Sequence, residues 1–298
     1  MTKAKPASKN SKNNSAKVSQ NKVRSKVNSG RTNVSGTKKL GIKKNGKKNG
    51  AGKASLKRST SGFEVEFFIL DKNGRAVNAA TKLLKEVAKQ KRNENAEIVL
   101  EMGDSMIEVG SYPDVASSGT LSALLDNIKL LLYTADEMGL YLCPLGTYPG
   151  TNNPKLHQNT AHYKAKLALF GPKRWRHEAR CAGYHFHYAM PWGVFDTKHK
   201  RLKKLINSKN KQSLVNAHNF LVAADPALTT FMQSSPFYQG KYLGKDSRAI
   251  MYRGLGKSEG LFSNFPDFGA LPSYRHTVAD MISKAEQRFE GWIKLITG

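Results

Sequence analysis

From Phe63 the chain alternates, with Phe63, Val65, Phe67 and Ile69 on one side and Glu64, Glu66, Phe68 and Leu70 on the other. A period of two is the signature of a strand, and it places Glu64 and Glu66 on one face. Asp71-Lys72-Asn73-Gly74 then predicts a turn. Residues 77–92 read as a helix, and 97–110 as one or two strands ending near Glu108-Val109-Gly110. The strongest helical pattern spans 121–138, where Leu121, Leu124, Leu125, Ile128, Leu131, Leu132, Ala135 and Met138 recur at helical spacing. Gly139 suits its C-terminal cap. Residues 141–143 predict a short strand feeding the loop 144–149, 157–170 a helix, and 182–190 another strand. A helix over 214–224 follows, which Asp225-Pro226 can end and restart because proline is tolerated in a first turn. A last helix covers about 278–296. Interspersed strands and helices with no regular repeat predict an α+β fold rather than a doubly wound sheet.

Composition divides the chain. Its 298 residues, 39% hydrophobic and 24% charged, leave room for one large domain or two small ones. Residues 1–60 hold 18 of the 49 Lys and Arg and none of the 22 Asp and Glu. The remainder, with 31 basic against 22 acidic residues, has a net charge of +9. Residues 1–61 are mainly Lys, Asn, Ser and Gly, with only scattered Val, Leu and Ile and no aromatic side chain, so burial cannot offset their ordering entropy. They are predicted to form a disordered basic tail, with 62–298 as the folded domain. Eighteen cations would attract nucleic acid or another polyanion by releasing counterions. The missing aromatics argue against base stacking, and a merely solubilising extension is the alternative.

There is no apolar run of the kind a secretory signal or a membrane span of about 20 residues needs, so no membrane association is expected. Cys143 and Cys181 lie 38 positions apart without a CxxC pattern. They indicate neither a zinc knuckle nor a disulfide framework, and a reducing cytoplasm fits best.

Four clusters could carry chemistry. Glu64 and Glu66 on one strand face repel unless a cation lies between them, and magnesium prefers such hard oxygen ligands. Solvated carboxylates on an edge strand are the plainer alternative. Glu108 sits on an alternating run that could face the same way, whereas Glu101 and Asp104 are nearer a turn. In Gly183-Tyr184-His185-Phe186-His187 two imidazoles share a strand face, which suits metal or phosphate as well as ordinary packing. The segment 234–240 is followed by Arg248 and Arg253, whose guanidinium forks can hold carboxylate or phosphate. An ordinary surface loop is the other reading. No GxxxxGK[ST], GxGxxG, GxSxG or HExxH is present.

Taken in order, GFEVEFFILD at 62–71, SMIEVGS at 105–111, LGTYPG at 145–150, CAGYHFHYAMP at 181–191 and SSPFYQGKYLGKDSR at 234–248 resemble the carboxylate-amine ligases. That family includes glutamate-cysteine ligase and is related to glutamine synthetase. The resemblance implies a curved, mainly antiparallel sheet with helices packed on one side. It implies an enzyme that uses ATP and Mg to form an amide between an amino acid and an amine through an acyl phosphate. Glu64, Glu66, Glu108 and His185 would ligate metal, and His185, His187 and Arg248 would serve the nucleotide. Arg248 and Arg253 would be the catalytic cations, although Asp246-Ser247-Arg248 lacks the aromatic residue of the family's serine-aromatic-arginine element. Ammonia as the amine, as in glutamine synthetase, is one alternative. An inactive or split ligase scaffold that binds nucleic acid through the tail is another. Members of the family continue beyond the position matching Gly298 into a segment with further active-site residues, so the chain is expected to be incomplete at its C-terminus.

Overall fold

A computed structural model describes residues 59–90, 97–158, 160–189, 195–196, 198, 201–202, 208–253 and 260–297. The expected basic tail therefore lies outside the described residues, apart from its last positions. All described residues belong to one compact unit, Ala54–Gly298.

The alternating run becomes strand β1 (Ser61–Leu70), which Asp71 turns by accepting from the backbone N–H groups of Asn73 and Arg75. Helix α1 (Ala80–Lys89) is shorter than the expected 77–92. Its N-cap residue, Ala79, has no side chain to offer. Asp104 supplies the cap from across the fold: its carbonyl accepts from Ala80 N–H, and its carboxylate accepts from Thr81 N–H at 2.8 Å and Thr81 Oγ1 at 2.6 Å. The segment 97–110 resolves into two strands, β2 (Glu97–Leu100) and β3 (Met106–Gly110), with Asp104 in the turn between them. Helix α2 (Ser117–Glu137) starts one turn before the expected 121, and Gly139, at φ 66°, ends it in the left-handed region that glycine favours.

Strand β4 (Tyr141–Cys143) is followed by α3 (Ala161–Glu178). The expected helix end at 170 is a kink instead of a stop, because Gly171 takes φ 69° and ψ 164° and Pro172 opens a second helical stretch. Strand β5 (Tyr184–Tyr188) is shorter than 182–190. Phe195–Asp196 (β6) pairs with Arg201–Leu202 (β7). Helix α4 (Ser208–Phe231) runs through Asp225-Pro226 without the break expected there. Phe237–Tyr238 (β8) and Lys241–Tyr242 (β9) form a hairpin, and α5 (Ser247–Arg253), α6 (Pro266–Gly269) and α7 (Val278–Thr297) complete the described elements.

Five strands make one antiparallel sheet ordered β2, β3, β1, β4, with β5 pairing the first half of β1 along the edge whose second half β4 occupies. The α+β expectation thus holds in an antiparallel form. One sheet face is apolar. Phe67, Ile69, Ile98, Ile107 and Val109 pack there against Leu83 and Val87 of α1 and Leu124, Leu131 and Ala135 of α2. Each buried aliphatic side chain contributes about 1.5–3 kcal/mol, which locks the register and thereby presents the alternate positions on the opposite face.

The stripe on α2 divides. Leu124, Leu131 and Ala135 are buried beside Thr120 and Asn127, while Leu121, Leu125 and Leu132 are exposed. Asn127 Nδ2 donates to Gly110 O at 2.8 Å, so a polar side chain takes a place on the core-facing side. A second cluster joins Met102, Phe170, Trp175 and Leu261 with Trp292 of α7 packed against it.

Candidate active site

Register alone gathers most of the predicted site. Glu66 lies opposite Glu108, Glu64 opposite His185, and Gly62 opposite His187. Cross-strand partners share a face, so Glu64, Glu66, Glu108, His185 and His187 all project from the sheet side away from α1 and α2. His187 Nε2 lies 2.8 Å from Glu64 Oε2, and His185 Nδ1 lies 3.4 Å from the same oxygen and 3.9 Å from Glu66 Oε1. Two overlapping sets result, Glu64 with both histidines and Glu66 with Glu108 and His185, each with candidate ligand atoms within 4.8 Å of one another.

Glu66 is 8% exposed and accepts from Gly183 N–H at 2.8 Å. Burial, then the Glu101 charge, pushes its carboxyl up to about 7, against the opposing pull of that hydrogen bond and of Arg248. Glu108 is pushed up to about 8 by burial first, then by its hydrogen bond to Glu101 and the charges of Glu101, Glu64 and Glu66. Crowded carboxylates with histidine nitrogens interleaved fit a divalent cation, which would relieve this repulsion. Oxygen donors suit magnesium, and the imidazoles also suit manganese or zinc.

Gly183 lets the two sides of the site close. A Cβ there would fall 2.6 Å from His185 Nε2 and 3.1 Å from an Arg248 terminal nitrogen. Arg248, from α5, donates through Nε to Ala182 O at 2.7 Å, and its guanidinium lies 5.5 Å from the centre of the Tyr252 ring. Arg253 is placed differently. Its guanidinium forks onto Asp225 at 2.6 and 2.9 Å, on the wall of a cavity that Arg248 also lines. The 234–240 segment acts mainly as a fastener: buried Ser235 Oγ accepts from Thr147 N–H at 3.0 Å, and Thr147 Oγ1 donates to Phe237 O at 2.8 Å.

From the sequence alone Glu101 falls near a turn. It continues the β2 alternation in which Glu97 and Val99 face Gly110 and Glu108, and that period was the available signal. Lys166 and Glu178 were also missed. They meet at 2.5 Å from either side of the Gly171 kink, an approach no local spacing announces. Burial raises the Glu178 carboxyl, and Lys166 pulls it back. With His162 and Tyr163 these residues line a cavity of about 240 Å³ that also reaches Glu66, His185 and Arg248. A larger cavity of about 390 Å³ shares Glu66, Arg248 and Tyr252 with it.

The sequence profile described as glutamate-cysteine ligase family 2 matches residues 60–296. Among curated proteins no sequence matches. Among solved structures, a bifunctional glutathione synthetase from Pasteurella multocida is similar, at 17% identity and a TM-score of 0.42, over 61% of this chain. The match spans 24% of that protein, about a quarter of its length.

Proposed function

The chain belongs to glutamate-cysteine ligase family 2, and from that premise we propose that its polar sheet face is an ATP- and magnesium-dependent site for joining an amino-acid carboxylate to an amine. Membership supports a ligase-type enzyme. The observation that carries the specific reading is the meeting of Glu64, Glu66, Glu108, His185 and His187 on one face, with Arg248 beside them. In this reading the sheet is the curved, funnel-lining sheet of glutamine synthetase-like ligases, with its helices on the opposite face.

The carboxylate oxygen attacks the γ-phosphorus of ATP, the bond to the β-phosphate oxygen breaks, and ADP leaves. The amine nitrogen then attacks the acyl phosphate carbon, the C–O bond to phosphate breaks, and an amide and inorganic phosphate result. Glu64, Glu66, Glu108 and His185 would hold magnesium, which offsets repulsion between an anionic nucleophile and the triphosphate. Arg248 sets fixed positive charge beside this site, where its terminal nitrogens can meet a phosphoryl or a substrate carboxylate oxygen without needing to reorganise. Arg253, already forked onto Asp225, stiffens the cavity wall and keeps α4 and α5 together. The amine must lose a proton as the amide forms, and the phosphate released in the same step can take it.

The test is phosphate release by the full chain with Mg and ATP. Release should require both an amino acid and an amine, and Glu66→Gln should lower it by about 100-fold or more. A panel of amino-acid and amine pairs that yields no phosphate would sink the catalytic reading. A second reading rests on the charge of residues 1–60: their 18 cations would hold a nucleic acid or other polyanion, with or without ligase activity.

A further inference from the structure

Two cavities flank Glu66 and Arg248, and their walls differ. The smaller is lined by Lys166, His162, Glu101 and Glu178 and shares His185 with the metal-binding sets. Such a lining suits a triphosphate and its cations. The larger, of about 390 Å³, has a mixed wall on α4: Leu228 and Met232, one helical turn apart, line it beside Thr229 and the Asp225 carboxylate that Arg253 holds, and Leu145 lines it too. Leu228 is 48% exposed and Met232 55%, so this wall leaves substantial apolar surface in water. At its floor Arg248 spends Nε on Ala182 O, while its terminal nitrogens make no hydrogen bond among the described residues.

We propose that the larger cavity is the amine-substrate subsite, and that it takes an amino acid with an aliphatic side chain. The substrate's carboxylate sits on the Arg248 fork and its side chain lies against Leu228 and Met232. This rests on the ligase reading for the word substrate, but the binding geometry stands without turnover. A guanidinium fork matches a carboxylate in two parallel hydrogen bonds. Apolar walls then select the side chain by the water they shed, and each added methylene that they bury is worth up to roughly 4-fold in affinity. With the carboxylate so held, the amine on the adjoining carbon lies toward Glu66, on the side where an acyl phosphate would form.

Titration calorimetry of the full chain with glycine, L-serine and L-leucine tests this, run with and without a non-hydrolysable ATP analogue and magnesium. L-Leucine should bind at least about 10-fold more tightly than glycine in both conditions. Met232→Glu and Leu228→Glu, at exposed positions, should each erase that preference, and Arg248→Met should weaken all three ligands alike. Equal binding of the three, no binding of any, or a leucine preference that survives both α4 substitutions would overturn the proposal. Displacement of leucine by the analogue would overturn it too, by giving the cavity to the nucleotide. Leucine binding as described without phosphate release would overturn the ligase reading alone. Phosphate release as fast with glycine as with leucine would overturn the subsite alone.

Discussion

Glu66 and Glu108 face each other across two strands, and their environment sets the charge each can carry. Both carboxyls hold protons in the fold at pH values where the unfolded chain, with ordinary carboxyls, has already lost them. The native state then binds more protons than the unfolded one, so stability falls as pH rises from about 5 through 7 to 8. A divalent cation held by these carboxylates would favour the ionised forms and oppose that fall. EDTA-treated protein should therefore lose thermal stability over this window, and the rise in Tm on adding Mg or Mn should grow across it. Glu66→Gln should flatten both trends. A metal-induced shift that is the same at pH 5.5 and pH 8 would argue against these carboxylates as the ligands.

Asp104 shows how an element's boundary can be set from outside it. Helix α1 begins at Ala80 and not at 77 because the carboxylate and carbonyl that receive its first N–H groups belong to the β2–β3 turn. His157 Nε2 stands 3.3 Å from the same carboxylate, tying in the loop after β4. Asp104→Ala should cost about 2 kcal/mol, measured as a lower urea midpoint with unchanged slope, because capping bonds are lost beside a partly buried histidine. The turn also separates Glu101 from Glu108, so this cap helps hold two carboxylates of the site at their register. The divided stripe of α2 has a similar cause. Residues 120, 124, 127, 131 and 134–135 meet the sheet, and they include two threonines and an asparagine that periodicity of apolar residues passes over.

At the scale of the molecule, basic charge gathers in residues 1–60, while the candidate metal ligands all belong to the sheet. The basic segment supports the polyanion reading, and deleting 1–60 should weaken binding to a polynucleotide strongly at low salt and remove most of the salt dependence. Fluorescence anisotropy at several salt concentrations measures this, and binding that survives the deletion with the same salt slope would refute it. Metal-dependent stabilisation should be unchanged by the deletion, since every candidate ligand lies at or after Glu64. No helix among the described residues is long and apolar enough to cross a membrane.

The period-two run at 63–70 was enough to place Glu64 and Glu66 on one face, because side-chain direction in a strand follows from the backbone alone. The ordered motifs were enough to identify the family. Neither could say that Glu101 shares that face with Glu108, since this depends on which strand pairs with which and in what register. Nor could spacing bring Lys166 to Glu178 across the Gly171 kink, or commit Arg253 to Asp225 on another helix while leaving Arg248 at the cavities. These pairings join residues through packing of distant segments, and only tertiary structure decides which charges meet and which remain available to a ligand.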